Sequence, residues 1–215
     1  MIRVVLADDE AMIRVGVRSI LATDPEIEVV AEAGDGREAV ELVRAHRPDI
    51  AMLDIRMPRL DGLSAAAELR AAVPDVAIIM LTTFDEDEYV ARALADGAAG
   101  FLLKAADPRE LIIGVRAVAD GAAYLSPRIA QKIIARLGGG QLSRADAARK
   151  QVELLSPRER QVVALVGRGM SNQEIAGELF LSEGTVKSHV SAILLRLGLN
   201  NRVQAAILAY EAGYV

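Results

Sequence analysis

One pattern recurs five times in the first 122 residues. A short, mostly apolar run stops on a polar or turn-forming residue, and a stretch of helical periodicity follows. The runs are Ile2–Ala7, Ile27–Ala33, Ile50–Leu53, Val76–Leu81 and Gly100–Leu103. Short apolar runs between turn signals read as buried strands, and their alternation with helices makes the sheet parallel. The helices carry their own stop signals. Glu10–Thr23 ends at Asp24-Pro25 and Gly36–His46 at Arg47-Pro48, since the residue before a proline is pushed out of the helical region. Asp107–Asp120 opens on an Asp cap with Pro108 at the first helical position and closes at Gly121. The expected fold is α/β, a doubly wound five-stranded parallel sheet.

A parallel sheet brings the carboxyl ends of its strands to one edge, where open α/β sheets bind ligands. The first run here ends on Asp8-Asp9, the third on Asp54, the fourth on Thr82 and the fifth on Lys104. Three carboxylates, a hydroxyl and an amine therefore converge. Carboxylates about 4 Å apart repel by about 4 kcal/mol per pair at an effective dielectric near 20, so the cluster requires a hard cation or a proton. The donors are all oxygen. The chain has no cysteine, and neither His46 nor His189 has a partner at ligand spacing, which points to Mg²⁺. An aspartate beside Mg²⁺ is a competent nucleophile toward phosphorus, forming an acyl phosphate. Asp54 is the expected acceptor, with Lys104 pairing one phosphoryl oxygen and Thr82 donating a hydrogen bond to another.

Composition limits the alternatives. Apolar residues make up 52% of 215, enough for one large or two ordinary cores. The absence of cysteine excludes disulfides, thiolate metal sites and cysteine nucleophiles. The longest apolar runs fall short of the roughly 18 residues of a membrane span, and Asp8-Asp9-Glu10 interrupts any signal-peptide core. A reducing cytoplasm is the expected location. The net charge of −5 is unevenly spread. Residues 1–125 carry 13 Lys/Arg and 23 Asp/Glu (−10), residues 126–150 carry 6 and 1 (+5), and residues 151–215 carry 6 and 6 (zero). An acidic domain, a basic connector and a neutral tail suggest separate tasks.

Two domains and a connector follow from this division: 1–122, a linker at 123–149, and a second domain at 150–215. The linker holds a short helical stretch, Pro127–Leu137, then Gly138-Gly139-Gly140, which reads as a flexible hinge. In the tail the strand pattern is lost and a separate all-α domain is expected. Ser156-Pro157-Arg158-Glu159 is a capping-box start, leading a helix to Gly167. Helices Asn172–Leu179 and Glu183–Leu197 are joined by a tight turn with Ser182 as cap, a helix-turn-helix, and a last helix spans Arg202–Ala212. Val186, Val190, Ile193, Leu194 and Leu197 form the inward stripe of the longer helix, which leaves Lys187, Ser188 and Ser191 outward, with Leu195 on the exposed flank.

These residues carry a resemblance. Asp8-Asp9, Asp54, Thr82 and Lys104 at five strand ends resemble the receiver domain of response regulators, of flavodoxin-like fold. The run from Leu155-Ser156-Pro157-Arg158-Glu159 through Ser171-Asn172-Gln173-Glu174-Ile175-Ala176 to Leu181-Ser182-Glu183-Gly184-Thr185-Val186-Lys187-Ser188-His189-Val190 resembles the LuxR-type helix-turn-helix. Together they are similar to the NarL/FixJ class of two-component response regulators. The resemblance implies Mg²⁺ bound by Asp9, Asp54 and the backbone carbonyl of Arg56, with Asp8 acting largely through water. It implies a switch in which Thr82 moves toward the phosphate and Phe101 turns inward, and DNA contacts from Lys187, Ser188 and Ser191. It implies a sensor histidine kinase as phosphodonor, a double-stranded DNA operator, a homodimer when phosphorylated, and RNA polymerase as a further partner. Receivers usually place a cis proline after the lysine; here the residue is Ala105. The expected function is transcription regulation switched by phosphorylation of Asp54, with no enzymatic activity beyond self-phosphotransfer and slow acyl-phosphate hydrolysis. Two alternatives are a DNA binder that needs no phosphate and an aspartyl-nucleophile phosphatase of the haloacid dehalogenase type. The second wants an Asp two residues after the nucleophile, where Arg56 stands.

Overall fold

The computed structural model describes residues 1–82, 97–105, 107–127, 129, 130 and 141–215, with side chains of the last stretch from 145 onward. The acidic run Asp85–Glu88, Gly138–Gly140 and most of Pro127–Leu137 lie outside the described residues. The chain forms two compact units, one of residues 1–119 with 124–129 and the other of 120–123 with 130–215.

In the first unit the strands are β1 (Ile2–Ala7), β2 (Ile27–Ala33), β3 (Ile50–Asp54), β4 (Ala77–Thr82), β5 (Gly100–Leu103) and β6 (Tyr124–Leu125), in the order β2-β1-β3-β4-β5-β6 and all parallel. Helices α1 (Ala11–Leu21), α2 (Gly36–His46), α3 (Gly62–Ala72) and α4 (Pro108–Ala119) connect them. The central strands are buried along their length because both faces are covered. Val4 to Ala7 and Ile50 to Leu53 are shut off from solvent, which is why they read as unbroken apolar runs rather than alternating ones. One face packs Leu6, Met52, Ile79 and Leu102 against Val17 and Leu21 of α1 and Leu111, Val115 and Val118 of α4.

The sheet has six strands where five were expected. Tyr124–Leu125 adds to the β5 edge, with Gly100 opposite Tyr124 and Phe101 opposite Leu125. Two residues are too few to display a period, so only pairing with β5 defines them. Chain order reverses at β1, which lies between β2 and β3. Ala7 pairs with Leu53, so Asp8 and Asp54 emerge side by side at the switch point.

The second unit contains α5 (Gln141–Glu153), α6 (Pro157–Gly167), α7 (Asn172–Leu179), α8 (Glu183–Leu197) and α9 (Arg202–Glu211). Helix α5 departs from the sequence reading, which takes residues 141–149 as the polar, basic end of the linker. Ala148, Val152 and Leu155, spaced i, i+4 and i+7, are buried in the core of this unit. An apolar stripe this narrow in a polar segment gives little amphipathic signal, and packing against the domain supplies what propensity does not. The capping box at Ser156 and Glu159 forms as expected, and a second joins Ser171 to Glu174. Val162, Val166, Ile175, Val186, Ile193 and Leu208 make the core.

Candidate functional site: an acidic pocket and an exposed helix face

The carboxyl edge of the sheet brings the side chains of Asp8, Asp54 and Lys104 together, with Thr82 at the end of the neighbouring strand β4. Lys104 follows β5, and its backbone N–H donates to the Thr82 carbonyl at 2.9 Å. Its ammonium lies 2.8 Å from Asp8 Oδ2 and 3.0 Å from Asp54 Oδ1, with Glu10 Oε1 further out at 3.7 Å. Asp8, Asp54 and Thr82 are all buried. Asp8 Oδ2 makes no hydrogen bond of good geometry, and the lysine is its ion-pair partner among the described residues. The reach is achieved with Ala105 in the proline position and no cis peptide bond among the described residues.

Burial pushes the Asp54 carboxyl up to about 6, against the pull of Lys104 and with the push of Asp8 and Asp9. Lys104 is desolvated as well, yet the two carboxylates paired with it, Asp8 and Asp54, outweigh that and hold the ammonium above its ordinary 10.5. The lysine thus stays charged through the neutral range, while Asp54 is destabilised as an anion.

Carboxylate oxygens of Asp8, Asp9 and Glu10 can all lie within 4.8 Å of one another. Asp54 is outside that cluster, held instead by Lys104. The loop after β3 and Asp9 line a cavity of about 360 Å³ that includes Ile55, Arg56, Met57, Pro58, Asp61 and Leu63. The donor set fits a hard divalent cation: carboxylates only, one of them with a buried oxygen short of hydrogen bonds, beside an open cavity. Phe101 is fully buried on β5, opposite Met80.

Sequence reasoning missed the braces around this pocket. Arg14 of α1 donates from Nη1 to the Asp8 carbonyl at 2.6 Å and also faces Glu32. Glu10 joins the acid cluster. Asp35, buried at the start of α2, meets the Arg59 guanidinium from the loop after β3. Nothing local in the sequence marks these pairs.

In the second unit Lys187, Ser188 and Ser191 are exposed on α8, while Val186 and Ile193 are buried and Val190, Leu194 and Leu197 pack on the core. The Ser188 hydroxyl donates to the Gly184 carbonyl at 2.9 Å. Ser182 caps the helix by accepting from the Thr185 N–H. Most of the cations in this region are turned to internal work. Arg158 donates to the Leu179 carbonyl at 2.7 Å and Arg160 to the Leu155 carbonyl at 2.9 Å. Arg196 pairs with Glu159 at 2.8 Å. Arg202, buried, reaches Asn172 Oδ1 at 2.8 Å and the Met170 carbonyl. Lys187 is exposed on α8, with no hydrogen bond or ion pair of this kind among the described residues.

Residues 4–116 match the response regulator receiver domain, and residues 153–209 match the bacterial regulatory proteins of the luxR family. The chain is a two-component response regulator. Among its relatives, the regulator is 38% identical to the transcriptional regulatory protein DegU of Brevibacillus brevis, over all of this chain and 95% of that one. It is also 38% identical to the DNA-binding transcriptional activator DevR/DosR of Mycobacterium tuberculosis, over 98% of this chain and 95% of the other. Among solved structures it is similar to the response regulator ChrA of a heme-sensing two-component system, with 34% identity, a TM-score of 0.55, and coverage of 100% of this chain and 98% of that one. The regulator therefore joins a receiver to a LuxR-type DNA-binding domain, as its relatives that regulate transcription do. Among the described residues no helix is long and apolar enough to cross a membrane.

Proposed function

We propose that the regulator is switched by phosphorylation of Asp54 and acts at a DNA operator as a homodimer. The observation that carries this reading is the Lys104 ammonium held 2.8 Å and 3.0 Å from Asp8 and Asp54 at the switch point of the sheet. A cation already placed beside the nucleophile is preorganised for the charge of an incoming phosphoryl group. Asp54 attacks phosphorus through a carboxylate oxygen. The bond from phosphorus to the donor breaks, and the leaving group takes a proton from solvent. A sensor histidine kinase is the proposed donor. Lys104 swings its charge from Asp8 and Asp54 onto the transferred group, and Thr82, at the end of the neighbouring strand, donates a hydrogen bond to it. Asp8, Asp9, Asp54 and the Arg56 carbonyl would hold Mg²⁺, which shields phosphoryl charge when bound. Loss of the Thr82 side chain's resting position is then felt by Phe101, packed on the adjacent strand.

The domain division is proposed at 1–122, 123–149 and 150–215, the last residues of the linker joining the tail core through Ala148 on α5. Lys187, Ser188 and Ser191 would face the major groove, with RNA polymerase as a further partner and the cytoplasm as the location. With zero net charge in residues 151–215, a single tail binds weakly, and pairing two of them supplies affinity. Incubation with a small acyl-phosphate donor and Mg²⁺ should add one phosphate to the chain and shift light scattering toward dimer. Asp54→Asn or excess chelator should abolish both. Retention of the mass shift in Asp54→Asn refutes the assignment.

A further inference from the structure

The loop after β3 supplies much of the cavity wall beside Asp9, and its shape is fixed by contacts with the turn between β2 and α2. Asp35 is buried there. One of its oxygens, Oδ1, accepts from the Arg37 and Glu38 N–H groups at 2.8 and 3.0 Å and starts α2. The other, Oδ2, meets the Arg59 guanidinium. Without that cation a buried carboxylate oxygen would face the loop uncompensated. Arg59 holds φ at +63°, the left-handed region that a glycine occupies freely and an arginine does not. A residue in that conformation calls for a compensating contact, and the ion pair to Asp35 is one.

The next residue ties the same two segments by backbone. The Gly36 N–H donates to the Leu60 carbonyl at 3.2 Å, and a Cβ at Gly36 would overlap that carbonyl. At its other end the loop is closed by the Gly62 N–H on the Ile55 carbonyl at 2.9 Å. We propose that Asp35 and Arg59 form a latch that holds residues 55–61 in the shape needed beside Asp9, so that both are positioning residues for metal binding at Asp54. This rests on the reading of Asp54 as a metal-assisted phosphoacceptor. Neither Asp35 nor Arg59 is among the residues that line the cavity beside Asp9; the latch acts on where the loop lies.

The test uses the full chain with Arg59→Gly, Asp35→Ser and the double variant. Glycine accepts the left-handed conformation, and serine keeps an acceptor for the start of α2, so each single change removes the latch while sparing the local fold. Mg²⁺ binding is measured by calorimetry, and the phosphorylation rate from a small acyl-phosphate donor is followed against Mg²⁺ concentration. Each single variant should weaken Mg²⁺ binding by about tenfold, the scale of lost outer-shell support. The double variant should be no weaker than either single one, because one contact can be lost only once. Rate curves should shift along the concentration axis and reach the wild-type plateau, and Arg59→Lys should recover part of the affinity. Wild-type affinity in both single variants, additive losses in the double one, or a lowered plateau with unchanged affinity would each overturn the latch. If the wild-type chain takes up neither Mg²⁺ nor phosphate, the reading of Asp54 fails and the latch fails with it. If it takes up both and the variants match it, the latch alone is refuted.

Discussion

Replacing Asp54 by Asn should make the regulator more stable, and the gain should depend on pH in a defined way. Burial raises the Asp54 carboxyl from its ordinary 3.8 to about 6 in the folded chain. Between those values the unfolded chain releases its proton while the folded chain keeps it, so stability falls as pH rises through the window and is level above it. With about 1.4 kcal/mol for each tenfold change, the gap sets an upper bound of about 3 kcal/mol on the penalty that the wild type carries at neutral pH. Relaxation of the surroundings and residual solvation bring the expected figure to about 2 kcal/mol. Asparagine has nearly the same shape and no charge to bury. Urea unfolding of both proteins from about pH 4 to about pH 8 reads the effect as a difference of differences, in which every other titrating group cancels. The advantage of Asp54→Asn should grow from about pH 4 to about pH 6 and then stay flat. Added Mg²⁺ should shrink it, because a cation bound to the wild-type carboxylates stabilises the fold by mass action. Parallel stability curves for the two proteins across the whole range would show that Asp54 is not strained by burial, and the account of the pocket would fail.

Lys104→Met leaves Asp8 and Asp54 facing each other without a cation, and should cost about 3 kcal/mol at neutral pH; the loss should lessen in acid or in Mg²⁺, measured by the same unfolding assay. Arg202→Met uncaps the Met170 carbonyl and Asn172. Burial has already pulled that guanidinium down to about 10, and truncation should lower the melting of the tail unit by about 2 kcal/mol while phosphorylation of the receiver proceeds unchanged. Lys187→Ala should weaken operator binding by about 1–3 kcal/mol per monomer if the lysine reads a base, or flatten the salt dependence by about one unit per monomer if it contacts a phosphate. Combined with Ser191→Glu it should abolish binding, and an electrophoretic titration that finds the double variant unchanged removes α8 from the groove. Because Arg158, Arg160, Arg196 and Arg202 are bonded within the chain, the wild-type salt slope should be shallow for a dimer.

Much of this protein was legible residue by residue because the signals involved are local. An apolar run such as Ile50–Leu53 states that both faces of its strand are covered, and an Asp at its end states where the strand stops. Ser156 with Glu159, and Ser182 before α8, mark helix starts within a span of four residues. The period of Val186, Val190, Ile193 and Leu197 separates the inner face of α8 from the face that carries Lys187. Parallel topology then places Asp8, Asp54, Thr82 and Lys104 on one edge without further information. What the sequence could not decide is everything that depends on reach across the fold. The ammonium of Lys104 lies between Asp8 and Asp54 because three separate strands end at one height. Tyr124–Leu125 is a strand only because β5 leaves an edge open, and the polar helix α5 exists because Ala148, Val152 and Leu155 find a core to enter. Arg59 and Asp35 meet although 24 positions apart in the sequence, and Arg202 caps a carbonyl 32 residues away. Periodicity and capping are encoded by neighbours in the chain, whereas ion pairs of this kind are chosen by geometry, and geometry exists only once the strands and helices have packed.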